Sequence, residues 1–257
     1  MPALLTAITR DVSPDLQDCE LSHLPRRPID VALAREQHRR YQQALARLGC
    51  RVTALPVLKG HPDSVFVEDT AVVLDEVAVI TRPGAESRRG EVESVATALA
   101  AHRELRRITA PGTLDGGDVL RIGRTLYVGL SARSDPSGVT QLRELLEPFG
   151  YRVLGVPLTG CLHLKSAATL AAPDVLLINP AWVDGQRFHG AEPIPVDPAE
   201  PHAANSLGLP AGVLYPASCP RTAERLLRRG LRLEVVDMSE TEKAEGGVTC
   251  CSLVFDA

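Results

Sequence analysis

Glu68, Asp115, His163, Asn205 and Cys250 follow one another at separations of 47, 48, 42 and 45 residues, and each stands just before a short apolar run. Gathered at one point they would offer two carboxylates, an imidazole, an amide and a thiol. A thiol becomes a good nucleophile where positive charge or a base favours the thiolate. His163 can fill that role and can also give and take protons, because an unperturbed imidazole titrates near neutral pH. Asp115 is the candidate carboxylate for the second ring nitrogen, where it would fix tautomer and orientation. Taken singly, a cysteine behind Gly246 and Gly247 is more often plain packing, and the histidine of "LHL" more often a satisfied core residue. Their equivalent places in one period are what favour chemistry.

Acidic residues also gather in "PDSVFVEDT", where Asp63, Glu68 and Asp69 surround Phe66. Carboxylates beside an apolar ring suit a planar cation such as guanidinium, held by paired charge-assisted hydrogen bonds. The bland alternative is a solvated strand end. Strand alternation puts Phe66 and Glu68 on one face and Asp69 on the other, unless a bend at the strand start turns all three inward. Arg88 and Arg133 lie 20 and 18 residues after Glu68 and Asp115, and arginines that converge would bind a carboxylate. Arg82 and Arg89 read as surface charges.

Cysteines stand at 19, 50, 161, 219, 250 and 251. Neighbouring cysteines rarely bridge each other, and with no C-x-x-C spacing a structural zinc site is not expected. No metal and no cofactor are expected. The N-terminus lacks a signal-peptide pattern and no stretch approaches a membrane span, so the expected compartment is the cytoplasm and the expected thiols are reduced. A net charge of −4 without an Arg/Lys stripe argues against a nucleic-acid partner. Arg39–Arg40 and Arg228–Arg229 read as solvated helix faces.

The elements that would carry these residues are α/β. Helical periodicity is clearest at 31 to 49, between a capping Asp30 and a terminating Gly49, with Val31, Ala34, Tyr41, Leu45 and Leu48 on one face. Further helices are predicted at about 88 to 105, 137 to 149 and 222 to 230. Between them lie paired β-rich runs such as "VLRIG" with "TLYVGL" and "ATLAA" with "VLLIN". Units repeating at this length suit a solenoid or a ring, and a ring lets each unit point one position at a common axis. Ordinary α/β strand spacing gives similar lengths, so the period alone does not decide. The 257 residues are compatible with a single domain, 1–257.

"PDSVFVEDTAVV", "ITRPGAESRRGE", "TLDGGDVL", "VGLSAR", "LHLKS" and "GGVTCCS" occur in an order and spacing that resemble the dimethylarginine dimethylaminohydrolases of the guanidine-modifying, or pentein, superfamily. The resemblance implies a five-bladed α/β propeller (pentein) of ββαβ units with the active site at the central axis. It implies hydrolysis of asymmetric dimethylarginine or monomethylarginine to citrulline and dimethylamine or methylamine, through a covalent thiouronium intermediate on Cys250. His163 would protonate the departing amine and then activate water, and Asp115 would orient His163. Asp63, Glu68 and Asp69 would hold the guanidinium, Phe66 would line the pocket, and Arg88 and Arg133 would bind the α-carboxylate. Ala244 would offer its carbonyl to the α-ammonium, Glu245 stands where the family usually has Asp, and Cys251 would face inward. Residues 19 to 30 match the position of a lid. The implied partner is a small-molecule substrate, for a monomer or homodimer.

Deiminases and dihydrolases acting on arginine or agmatine are the nearest alternative, but they resemble one another in carrying H-x-D where this chain has His163 and Lys165. Non-catalytic penteins that bind ribosomes lack the Cys/His/acid set, and a zinc protein built on Cys250 and His163 lacks ligands.

Overall fold

The computed structural model describes residues 5–256. In chain order, β1 (Leu5–Arg10), α1 (Val31–Arg47) and β2 (Cys50–Leu55) are followed by β3 (Ala71–Val73), β4 (Val77–Ile80), α2 (Val92–Leu99) and β5 (Glu104–Arg107). Next come β6 (Val119–Ile122), β7 (Thr125–Leu130), α3 (Pro136–Leu146), β8 (Arg152–Pro157), α4 (Leu164–Ala167), β9 (Ala168–Ala172), β10 (Val175–Ile178) and β11 (Glu192–Pro195). The chain ends with β12 (Leu207–Leu209), β13 (Gly212–Pro216), α5 (Pro220–Arg228), β14 (Leu233–Val236), α6 (Ser239–Glu242) and β15 (Leu253–Asp256).

These strands make five three-stranded sheets. Within a sheet the first two strands are antiparallel, because a tight turn joins them, and the third is parallel to the second, because a crossover precedes it. The last sheet joins the two ends of the chain. β15 runs antiparallel to β1, with Leu253 opposite Ile8, and β1 runs parallel to β2. A ring of five ββαβ units closed in this way is the five-bladed α/β propeller, and its buried apolar residues form five clusters among the described residues.

Helix α1 starts where Asp30 accepts the Leu33 amide at 3.0 Å and ends before Gly49, whose φ of 93° suits glycine. Ala34, Tyr41, Leu45 and Leu48 are buried on its inner face, with Val31 half-buried. The Tyr41 hydroxyl donates to the Val248 carbonyl at 2.8 Å and contacts Ser252 Oγ at 2.7 Å, tying α1 to the loop that carries Cys250.

The helix predicted over 88 to 105 is shorter than expected. A 3-10 turn (Glu86–Glu91) leads into α2, and Glu104–Arg107 instead pairs with β4 as an edge strand, where ladder bonds override its charged composition. Helix α3 gives way to a 3-10 turn at Glu147–Phe149 because Pro148 has no amide to donate. Arg39, Arg40, Arg228 and Arg229 are solvent-facing and paired with glutamates. Among the described residues no helix is long and apolar enough to cross a membrane.

Candidate active site

The residues of the 42-to-48 period sit in or beside turns and loops just before the blades rather than in strands. Glu68 and Asp69 lie in a 3-10 turn (Val67–Thr70), Asp115 precedes the turn Gly116–Asp118, and His163 precedes α4. A turn can aim successive side chains to one side, so the bend, not strand alternation, governs Glu68 and Asp69, and both reach the axis.

His163 Nε2 lies 3.0 Å from Asp115 Oδ2, and its Nδ1 lies 3.9 Å from Asp69 Oδ1. The Gly117 amide donates to Asp69 Oδ1 at 3.0 Å. Burial alone pulls the His163 pKa down, but Asp69, the Asp115 hydrogen bond and Asp118 outweigh it and push it up to about 9. Burial likewise works against ionised Asp69, yet His163, Arg88 and the Gly117 amide hold it at about 2. At neutral pH the pair is therefore imidazolium and carboxylate.

Glu68 binds Lys165 Nζ at 2.7 Å and Thr249 Oγ1 at 2.6 Å, and its amide donates to the Cys250 carbonyl at 3.1 Å. Asn205 is a strut: its amide nitrogen reaches the Lys165 carbonyl and Thr249 Oγ1, and its oxygen accepts the Thr249 amide. The Gly247 amide points at Cys250 Sγ, 3.3 Å away. Burial, Glu68 and Asp69 raise the Cys250 thiol to about 12, partly offset by the Gly247 amide and Thr249. At neutral pH the resting residue is therefore a thiol. Cys251 is fully buried in the core beneath α1. It does face inward, but from a turn rather than from an extended strand.

Several expected binding residues have other partners. The Arg88 guanidinium is buried and engaged by protein acceptors: Asp69 at 2.5 Å, Glu91 at 2.8 Å, and the carbonyls of Asp63 and Phe66. It is an internal counter-ion here, not a free clamp for a carboxylate. Phe66 packs in the core beneath α1 rather than lining open space. Gly246 matters to that ring, since a Cβ there would lie 2.1 Å from Phe66 Cε1, and a Cβ at Gly247 would meet Asn205 Oδ1 at 2.4 Å. Asp63 accepts the Glu20 amide at 3.1 Å, and Arg133 reaches Ser22 Oγ at 3.2 Å while lying 3.8 Å from Asp115. Both Glu245 carboxylate oxygens are taken by amides of residues 22 to 24. Ala244 is buried beside it.

A cavity of about 590 Å³ reaches Cys250 and is walled by His23, Leu24, Pro25 and Arg27 on one side and by Leu162 and His202 on others. Among the described residues, Asp69, Asp115 and His163 are the group whose donor atoms lie close enough together for an ion, within 4.8 Å. Those atoms already serve one another as an ion-paired cluster, with Arg88 on Asp69.

A family model described as "N,N dimethylarginine dimethylhydrolase, eukaryotic" matches residues 25–168. An N(G),N(G)-dimethylarginine dimethylaminohydrolase from Streptomyces coelicolor is 44% identical over 251 residues, covering 96% of this chain and 95% of that protein. The chain belongs to the dimethylarginine dimethylaminohydrolase family. Among solved structures, a cysteine-to-serine dimethylarginine dimethylaminohydrolase from Pseudomonas aeruginosa complexed with citrulline superposes with a TM-score of 0.92 at 38% identity, over 97% of this chain and 98% of that one. A histidine-to-glycine dimethylarginine dimethylaminohydrolase as an adduct with S-methyl-L-thiocitrulline also gives 0.92 at 38% identity, over 97% and 99%.

Within this dimethylarginine dimethylaminohydrolase fold, two residues of the site, Asp118 and Thr249, carry no clear signal in the sequence. Asp118 is fully buried, accepts the amide of Leu164 at 2.9 Å and takes the Ser131 hydroxyl at 2.6 Å. Ser131 Oγ accepts the Arg133 amide at 3.0 Å, and Ser134 Oγ accepts the Asp115 amide at 3.0 Å. The second aspartate of "DGGD" was its only trace in the sequence. Thr249, one residue before the thiol, was likewise invisible without the Glu68 contact.

Proposed function

We propose that the chain hydrolyses N-methylated arginine to citrulline and methylamine or dimethylamine, with Cys250 as nucleophile. The observation that carries this reading is the thiol set beside Glu68 and Asp69 while His163 is kept protonated by Asp69 and Asp115. A guanidinium seated at those carboxylates offsets the charge that holds the thiol protonated, so the thiolate forms as substrate binds. Sγ then attacks the guanidinium carbon. The C–N bond to the methylated nitrogen breaks as the imidazolium of His163 gives that nitrogen its proton, leaving a thiouronium on Cys250. Neutral His163 takes a proton from water, which adds to the same carbon, and the C–S bond breaks to release citrulline.

Support for the covalent step comes from the neighbour solved as an adduct with S-methyl-L-thiocitrulline, and for the product from the neighbour complexed with citrulline. We assign the substrate α-carboxylate to Arg133 and to Arg88 the task of holding Asp69 in place; Asp63, expected at the guanidinium, instead faces the Glu20 amide and the charge of Arg133, and we assign it with the Ala244 carbonyl to the α-ammonium. Lys165, bound to Glu68, adds no carboxylate beside the guanidinium, which leaves room for methyl groups. Six free thiols suit a reducing cytoplasm.

Asymmetric dimethylarginine incubated with the purified protein should yield citrulline and dimethylamine in equal amounts, and the Cys250→Ser protein should yield neither. Equal turnover of unmethylated arginine, or activity surviving that substitution, would overturn the assignment.

A further inference from the structure

Apart from an exposed Ser87 hydroxyl on Glu20 Oε1 and local contacts of Arg26 and Arg27 with Gln17 and Cys19, the segment Glu20–Arg27 is joined to the rest of the protein by polar contacts of two kinds. The Glu20 amide sits on the Asp63 carboxylate, and Ser22 Oγ takes a hydrogen bond from Arg133. Both anchors are residues assigned above to the substrate's ammonium and carboxylate. The third anchor is different. Three consecutive amides, of Ser22, His23 and Leu24, converge on the carboxylate of Glu245 at 3.1, 2.5 and 2.6 Å. Successive amides aimed at one point form a concavity that selects an anion, and hydrogen bonds to an ionised acceptor are the stronger kind.

The backbone at Glu245 points the same way. Its φ is 60°, the one positive value recorded for a non-glycine residue among those described. A side chain there is disfavoured relative to glycine, yet glycine occupies the two following positions and not this one. The strained residue is the one whose carboxylate reaches the segment. Directly past the latch, His23, Leu24, Pro25 and Arg27 wall the cavity that opens on Cys250, so the latch also shapes the space beside the thiol.

We propose that Glu245 is a positioning residue that latches Ser22–Leu24 over the site, and that substrate binding exchanges the Asp63 and Arg133 contacts of this segment while the Glu245 latch persists. The inference rests on the proposed function for its effect on turnover, and on the geometry alone for its effect on the segment. Loss of the latch frees the segment to open, which weakens substrate retention more than it slows the chemical steps.

Glu245→Gly removes the carboxylate without backbone strain, and Glu245→Gln keeps one acceptor oxygen. Two readouts separate the outcomes: trypsin cleavage after the exposed Arg26, followed by mass, and the split between KM and kcat for asymmetric dimethylarginine. With Glu245→Gly, cleavage is expected to quicken roughly tenfold and KM to rise about tenfold, as for loss of one charged hydrogen-bond set, with kcat changing less than KM; Glu245→Gln should fall between this variant and the parent. An unchanged cleavage rate in Glu245→Gly would overturn the latch, as would a fall in kcat at constant KM. The cleavage readout needs no substrate, so failure of the latch and failure of the proposed reaction give different results.

Discussion

His163 Nε2 and Asp115 Oδ2 meet at 3.0 Å in a place where both side chains are almost wholly hidden from solvent. The imidazole there holds its proton to about 9 while the thiol holds its own to about 12. The reactive combination is thiolate with imidazolium, a minority form of the free enzyme. Its population rises about tenfold per pH unit until His163 begins to lose its proton, and then levels. The kcat/KM for dimethylarginine should therefore climb with pH and flatten near 9. Asp115→Asn removes a group that raises the histidine, so the flattening should move to lower pH and kcat should fall on the order of a hundredfold. A pH profile of both proteins checks this, and coincident breaks would refute the pairing.

Asp118 holds the Leu164 amide directly and the Arg133 amide by way of the Ser131 hydroxyl. Burial pushes its own pKa up to about 6, against the pull of His163 and of the Ser131 and Ser134 hydroxyls. Asp118→Asn retains an acceptor for the Leu164 amide but sets an NH2 group against Ser131, whose oxygen holds the Arg133 amide. We expect kcat/KM to drop by on the order of tenfold, most of it through KM because Arg133 moves. Steady-state kinetics beside a thermal melt tests this; an unshifted KM would restrict Asp118 to stability.

Of the two adjacent sulfurs, Cys250 is half-buried and Cys251 fully buried. Cys251→Ala should keep turnover and lose about 1–2 kcal/mol of stability, as expected for a small cavity in a packed core. Cys250→Ala should do the reverse. Urea denaturation and citrulline release, measured on each protein, would expose a reversal of roles.

Gly246 is set by Phe66, since an added Cβ would lie 2.1 Å from the ring. Gly246→Ala should destabilise by about 1–3 kcal/mol through overpacking. Phe66→Leu in the same chain should recover part of that loss, a coupling of about 1 kcal/mol for residues in contact. Strictly additive losses in a double-mutant cycle would show that the clash is relieved elsewhere.

Arg88 neutralises Asp69 and Glu91 where none of the three meets water. Arg88→Met would leave the buried Glu91 without its cation and Asp69 with only His163 and the Gly117 amide, a loss of about 3–5 kcal/mol. Denaturant unfolding measures it. A protein of undiminished stability with a raised KM would instead make Arg88 a substrate ligand.

The period, the strand pairs and the identities of the axial residues were all legible in the chain, because each blade is assembled from local hairpins and one short crossover. Asp115 beside His163 follows from that repeat. Direction was not legible. Whether Glu68 and Asp69 face together depended on a 3-10 turn, and that turn is stabilised by contacts from other blades, with the Cys250 carbonyl, Lys165, Thr249 and Gly117. Arg88 looked available for a carboxylate until the fold placed Asp69 and Glu91 around it. Glu245 lies more than 200 residues from the amides it accepts, with |i−j| of 223 for Ser22, and no local pattern encodes such a contact. Composition and spacing chose which groups arrive at the axis. Closure of the ring, with β15 on β1, decided which of them touch.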